Sequence, residues 1–335
     1  MRKMEHRRPT LREVASLAGV SHQTVSRYLR HEGGLRETTV ERVEAAISEL
    51  GYRPNLVARS MRTRQTGLLA ILLPGWAGAE RTMAAASEEA RGAGYRVEVV
   101  IAVGEDPAAL GAHARDLLSA GLVDGVLSVT PIPLAGQNDE LLVQVGEYDT
   151  LLRAVDAVAD DTATMEELVG RLAEMGHRHL LHIGGPEDWF SAQLRLEGYR
   201  SAVARLGLVS HGALPGPWLP ARGLEIISAL PEDSPVTAVV AASDHIAIGV
   251  VRGALQRGWS VPERLTVTGW DDLWLARFVT PALSTVVVDR ESAGRHAMRR
   301  LIAAVRGEAE PEPPRGPLAR IEFRETTAPP PQPVT

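Results

Sequence analysis

From Gly67 onward the chain repeats one rhythm, a short apolar run followed by an amphipathic stretch, and few folds accommodate it. LLAILL, RVEVVIA and DGVLSV alternate with stretches over about 79–93 and 107–120 whose apolar residues recur at helical spacing, and a further strand is predicted near 141–145. After residue 160 the rhythm resumes: a helix over 162–175, HLLHIGG, helices over 190–206 and 221–230, VTAVVAA, a helix over 244–257, RLTVTGW and LSTVVV. A helix over about 291–306 and a strand ARIEFRE follow. Strands this apolar have no wet face, and the helices between them make parallel sheets covered on both sides. The body is predicted as two doubly wound α/β halves.

The first 66 residues have a different grammar. Thr10-Leu11-Arg12-Glu13 fits a capping box, and Leu11, Val14, Ala15 and Ala18 give a narrow apolar stripe ended by Gly19. Ser21 caps a second short helix in which Val25 and Leu29 face inward. His22, Gln23, Ser26 and Arg27 then face outward, with Thr24 at the edge. A small Ala15, a glycine turn and a buried Val25 let two short helices cross closely, the helix-turn-helix arrangement. A second capping box, Thr38-Thr39-Val40-Glu41, is predicted to open a third helix closed by Gly51. Residues 55–62 allow one or two further turns capped by Asn55, too short to hold alone in water.

Charge divides the chain at the same place. Residues 1–64 hold 13 Arg or Lys against 7 Glu, hence +6, while residues 65–335 hold 23 against 35, hence −12. A basic head on an acidic body points to a polyanion partner for the head. The chain has no cysteine, so disulfides, Cys-ligated metal and thiol chemistry are excluded. No apolar run approaches the ~18 residues of a membrane span, and MRKMEHRRPTLREV lacks a secretory pattern, so a cytoplasmic protein is expected.

The run TLREVASLAGVSHQTVSRYL, continued by T-x-E-R-V-x-x-A-I-x-E-L-G-Y-R-P-N-x-V-A-R, resembles the lac-repressor and galactose-repressor (LacI/GalR) family of bacterial transcription regulators. G-H-R-H-L-L-H-I-G-G-P, S-D-H-I-A-I-G, V-P-E-R-L-T-V-T-G-W-D-D and R-E-T-T-A-P-P extend the resemblance over nearly the whole chain. It implies an α/β fold in which an N-terminal helix-turn-helix three-helix DNA-binding domain and a hinge helix precede a periplasmic-binding-protein-like body of two subdomains. The implied division is 8–54 for the DNA-binding domain and 55–66 for the hinge. Residues 67–160 with about 289–310 form one α/β subdomain, and 161–288 with about 316–328 the other, the last helix and strand crossing back to close the fold.

The resemblance also assigns roles. His22, Gln23 and Arg27 would read bases, Gln being suited to adenine and Arg to guanine, while Thr10, Ser21, Thr24, Ser26 and Thr39 would hold phosphates. Asn55, Ala58 and Met61 would belong to a hinge helix entering the minor groove, with Met61 as wedge where Leu is common.

In open α/β sheets ligands bind beyond the carboxyl ends of the strands. Those positions are 74–76 with Trp76, Thr130, 189–195 with Trp189, Ser191 and Arg195, Ser243, Trp270 and Asp271. Six Trp against three Phe is an unusual ratio, and Trp218 adds a further indole in a Pro-Gly-Pro-Trp loop. Trp faces stack on pyranose rings, and Asp and Arg hydrogen-bond their hydroxyls, so a saccharide site is expected. Trp259 and Trp274 read as core. By resemblance Thr130, Ser191, Arg195, Trp218, Ser243 and Asp271 match effector-holding positions. Ser243 stands where Asn is usual, and 288–290 lacks the aromatic expected there.

His177, His179 and His182 straddle a helix end and a strand, so no metal site is expected, nor any cofactor. Ser243-Asp244-His245 has triad letters but not triad geometry. The tail TTAPPPQPVT has no leucine heptads, which favours a dimer. The reading is a homodimeric repressor on a pseudo-palindromic DNA operator, not an enzyme, released by a saccharide inducer, a β-galactoside or β-glucoside. A nucleobase or other corepressor is the alternative. A transporter's sugar-binding protein would not need the basic head, and a glycosidase would need paired carboxylates flanking a bond.

Overall fold

The structure is a computed structural model that describes residues 9–29, 34–52, 65–74, 79–102, 107–130, 132, 139–145, 161–187, 189–314 and 319–331. It divides into two compact units, Met1–Thr66 and Gly67–Thr335.

In the first unit α1 (Leu11–Ala18), α2 (His22–Leu29) and α3 (Glu37–Leu50) enclose a small core of Val14, Ala15, Ala18, Val25, Val43, Ala46 and Tyr52. The Thr10 capping box forms: the Glu13 carboxylate accepts from the Thr10 amide at 2.6 Å, and the Thr10 hydroxyl oxygen accepts from the Glu13 amide at 3.4 Å. Gly19 ends α1 in the left-handed region, φ 62°, and its carbonyl accepts from the Arg42 guanidinium at 2.9 Å, which ties α3 to the turn. The expected box at Thr38 does not form. Helix α3 starts earlier, at Glu37, and has no side-chain cap; the Arg36 carbonyl accepts from Thr39 and Val40 instead. The earlier start puts the Glu37 carboxylate in the first turn, where the helix dipole favours it.

The second unit holds two sheets. Strands β1 (Leu68–Pro74), β2 (Arg96–Ala102), β3 (Gly125–Ser128) and β4 (Leu142–Gln144) form an all-parallel sheet in the order β2-β1-β3-β4, with Leu69 opposite Val97 on one side and Gly125 on the other. Helix α4 (Glu80–Gly92) covers one face, α5 (Pro107–Ser119) the other. The second sheet contains β5 (His179–Ile183), β6 (Val209–Leu214), β7 (Ala238–Ala241), β8 (Thr266–Trp270), β9 (Ser284–Val288) and β10 (Ala319–Glu322), in the order β10-β9-β8-β7-β5-β6. Among the described strands only the β10–β9 pair is antiparallel. Helices α6 (Asp161–Glu174) and α7 (Phe190–Arg205) cover one face, and α8 (Pro220–Ala229) and α9 (Asp244–Gln256) the other. Strand β6 has no apolar run to announce it: VSHGAL is an exposed edge whose pairing shifts register beside His211.

The apolar runs are explained by this layering. Leu69, Ile71 and Leu127 point to one face of their sheet, Ala70, Leu72 and Val126 to the other, and all are buried. Each buried Leu or Ile contributes about 2 kcal/mol relative to exposure. Helix α10 (Arg290–Arg306) leaves the six-stranded half and packs Ala297, Met298, Leu301 and Ile302 into the four-stranded one. Among the described elements the chain thus changes halves between β4 and α6, between β9 and α10, and between α10 and β10. One contact fixes a helix pair tightly: a Cβ on Gly249 of α9 would lie 1.8 Å from the Pro220 carbonyl oxygen at the start of α8.

Candidate functional site

On α2 the side chains of His22, Gln23 and Arg27 are exposed and those of Thr24 and Ser26 half-buried, while Val25 alone is buried. Ser21 caps the helix by accepting from the Thr24 amide at 3.1 Å, and the two hydroxyls meet at 2.9 Å. Thr10 is exposed beside α1, with its hydroxyl bonded to Glu13, and Thr39 is half-buried in the first turn of α3. Tyr28 donates to Glu44 at 2.8 Å and closes α2 onto α3. The result is a rigid helix presenting a row of polar side chains, the form required for reading base edges in a major groove. Asn55, Ala58 and Met61 lie outside the described residues, as does Trp76.

In the six-stranded half the residues beyond the carboxyl ends of β5, β7 and β8 converge on Arg195. Its side chain is 2% exposed; its Nε donates to Asp161 at 2.8 Å and its Nη1 to the Ala242 carbonyl at 2.7 Å. Its Nη2 lies 3.9 Å from Asp271 Oδ1. The guanidinium stacks 4.6 Å above Trp270 and 5.8 Å from the centre of Trp218. Trp218 meets Trp189 edge-on at 6.0 Å, and it presses on Gly185, where a Cβ would sit 2.1 Å from the ring. The indole N–H groups of Trp218 and Trp270 have no hydrogen-bond partner among the described residues.

Asp271 and Asp272 are non-glycine residues with φ of 104° and 50°, a strained conformation costing about 1–3 kcal/mol each. Three bonds hold it. Asp271 N donates to the Val286 carbonyl, Asp272 N to the Thr285 hydroxyl, and Leu273 N to Asp244 Oδ2 at 2.7 Å. Arg290 donates to Asp271, and Arg277 and Arg324 to Asp272. Burial works to raise the Asp271 carboxyl, but Arg290 and Arg195 outweigh it and hold the group below its ordinary range. Burial pushes Asp244 well above that range, against the hydrogen bond it accepts from Thr285 at 2.6 Å.

Several expectations change in detail. Trp270 is fully buried under Arg195, so its ring offers no open face for stacking, whereas Trp189 is half-buried. Ser191 is buried, and Ser243 spends its hydroxyl on the α9 cap, accepting from Ile246 at 3.3 Å. Thr130 is buried at the end of β3 in the other half, where the Ser128 hydroxyl donates to its carbonyl. Trp274 is not core: it is 65% exposed on a short 3-10 helix beside Phe278 at 75%. Trp259 is buried between Arg257 and Arg264. Asp161 and Arg290 were not among the expected site residues. Their partners stand 34 and 19 positions away, beyond any local pattern. His177, His179 and His182 are engaged with Thr237 and Ala328, with His211, and with the Val240 carbonyl respectively. No group of three possible ligands converges among the described residues, and no described helix is long and apolar enough to cross a membrane.

Comparison with known proteins adds identity to geometry. Residues 10–55 match the family described as bacterial regulatory proteins, lacI family, and residues 169–327 a periplasmic binding protein-like domain. The HTH-type transcriptional regulator CelR of Thermobifida fusca is 33% identical over 330 residues, covering 90% of this chain and 93% of the relative. AscG of Escherichia coli K12, also an HTH-type transcriptional regulator, is 30% identical, covering 89% and 92%. A structure of the lac repressor dimer bound to operator and the anti-inducer ONPF aligns over 96% of this chain and 100% of its own, with TM-score 0.76 and 25% identity. A CelR–cellobiose complex aligns over the same shares with TM-score 0.65 and 27% identity. These relatives are regulators, and at this identity over nine-tenths of the chain the assignment is direct: the protein belongs to the lacI family of bacterial transcriptional regulators.

Proposed function

We propose that the chain is a repressor that binds operator DNA as a homodimer in the bacterial cytoplasm and releases it when an uncharged saccharide, a β-glucoside or β-galactoside, occupies the cleft of the body. The observation that carries the reading is the pairing of the polar, exposed face of α2 with a separate unit whose strand ends gather Arg195, Asp271, Trp189 and Trp218. His22, Gln23 and Arg27 contact bases; Thr10, Ser21, Thr24, Ser26 and Thr39 contact phosphates; Asn55, Ala58 and Met61 form the minor-groove hinge. Trp76, Thr130, Ser191, Ser243 and Trp270 complete or support the effector site. The division of the chain into head, hinge and two interleaved subdomains follows the same plan.

An uncharged ligand suits the cluster because, among the described residues, Arg195 and Arg290 are matched by Asp161 and Asp271. Hydroxyl groups can donate to the carboxylates and accept from the guanidiniums. The CelR structure, solved with cellobiose, supports a sugar over a nucleobase. Self-association is supported by the apolar patch of Trp274, Leu275 and Phe278, all well exposed. Closure of the halves on the ligand weakens operator binding to the extent that the ligand prefers the closed form.

The test is a thermal-shift screen with cellobiose, lactose and adenosine, each hit retested for operator release at fixed salt. A stabilising saccharide that releases DNA supports the reading; adenosine as the sole hit, or a saccharide that tightens DNA binding, rejects it. Replacing both Trp274 and Phe278 by Glu should give monomers by light scattering.

A further inference from the structure

Four of the charged groups described above form a single row: Asp161, Arg195, Asp271, Arg290. Carboxylate and guanidinium alternate along it. Asp161 accepts from Arg195 Nε at 2.8 Å, Arg195 Nη2 stands 3.9 Å from Asp271, and Asp271 accepts from Arg290. The inner pair carries the groups assigned to the effector. The outer pair occupies special places in the chain. Asp161 is the first residue of α6, reached after the chain passes between the halves, and Arg290 is the first residue of α10, reached after it passes back. Helix α10 packs in the four-stranded half, so the row ends on a residue of that half while its other three members belong to the six-stranded one.

We propose that Asp161 and Arg290 are positioning residues for the effector, holding the Arg195–Asp271 pair from opposite ends so that the part-exposed Asp271 carboxylate is fixed toward the ligand. This rests on the effector reading given above. An arginine side chain has four rotatable bonds and loses much entropy when fixed. Here the Asp161 carboxylate, the Ala242 carbonyl and the Trp270 ring fix three sides of the Arg195 guanidinium, leaving Nη2 as the group directed at Asp271. Asp271 stands on strained backbone, and its side chain is 21% exposed against 2% for Arg195, so it is the member a ligand meets first. Arg290, 12% exposed, anchors that carboxylate from the other half. Occupation of Asp271 by ligand hydroxyls therefore changes a bond that spans the two halves.

The experiment uses the full chain with Asp161→Ala, Asp161→Asn and Arg290→Met, each checked for cooperative melting. Calorimetry with cellobiose, lactose and adenosine is combined with nitrogen NMR of the Arg195 Nε–H group. For whichever probe the unaltered chain binds, Asp161→Ala and Arg290→Met should weaken binding about 30-fold, the scale of one charge-assisted hydrogen bond. Asp161→Asn keeps an oxygen that can accept from Nε and should restore most of the affinity. The Nε–H resonance should lose its protection from solvent exchange in Asp161→Ala and keep it in Asp161→Asn. Variants that bind as tightly as the unaltered chain, or an Nε–H signal unmoved by Asp161→Ala, overturn the proposal. If Asp161→Ala does not fold, Asn and Arg290→Met carry the decision. If the unaltered chain takes up none of the three probes, the effector reading fails, and the Nε–H signal alone decides whether Asp161 positions Arg195.

Discussion

The head and the body both use arginine, and they use it in opposite ways. Arg27 stands exposed on the two-turn helix α2, its guanidinium in reach of water. Arg195 is 2% exposed, tied to a carboxylate and a carbonyl and stacked on a tryptophan. Exposed charges are screened by salt and adapt to their partner; buried paired charges are barely screened and hold one geometry. The contrast teaches that the first unit is built for a polyanion whose counterions it displaces, and the second for a small ligand fitted group by group.

The contrast is sharpest at Arg195. Arg195→Ala leaves Asp161 buried without its cation, and should cost about 3–5 kcal/mol of body stability in chemical denaturation. Binding of any saccharide should vanish with it, while the melting of the head stays unchanged. An unaltered body transition would mean that the pair does not hold the body together. Acid comes next. His182 is fully buried, and burial first of all lowers its pKa from 6.5 to about 4, against the hydrogen bond it makes with the Val240 carbonyl. The unfolded chain therefore takes up this proton first, so stability is fully present above pH 6.5 and is lost as pH falls toward 4. The loss should amount to about 3 kcal/mol at the acid end. Unfolding monitored across that window should show the slope in the body, and His182→Leu should flatten it.

The head should respond to different handles. Arg27→Ala should cost about 1–3 kcal/mol of operator affinity and relax selection at one base pair, with saccharide binding untouched. Operator affinity should fall steeply between 50 and 200 mM salt, as about 10³-fold for six phosphate contacts, while saccharide affinity changes little. A saccharide affinity that followed salt as steeply would erase the distinction. The smallest effect belongs to the cap: Thr10→Ala should destabilise the head by about 1 kcal/mol, readable in its own melting.

Much of this architecture is legible in the residues themselves because it is local. The Thr10 box, the Gly19 turn and the apolar runs of both sheets are patterns of three to seven consecutive positions, and each forms where the pattern stands. What escapes is non-local. Strand β6 owes its existence to a neighbour, β5, since VSHGAL alone has no strand signature. Asp161 and Arg290 look like ordinary helix starts until Arg195 and Asp271 are brought beside them. Trp270 and Trp274 sit four positions apart with the same side chain, yet one is fully buried and the other two-thirds exposed. The end of β8 and the turn after it decide between them, and no periodicity records that. The start of α3 shows the limit at smaller scale, where Glu37 at the positive helix end wins over a threonine cap one residue on.

The contact between Gly249 and Pro220 bears on how such a cleft could be retuned. Trp218 lies two residues before Pro220, so the height of its ring over Gly185 is set by how closely α8 and α9 approach. A laboratory selection for new ligand preference would find Gly249 closed to it, because any side chain there strikes backbone rather than a movable group. Diversity is better spent on Trp189 and on Trp218 itself. Changes at those positions alter the shape offered to the ligand and leave its mounting in place.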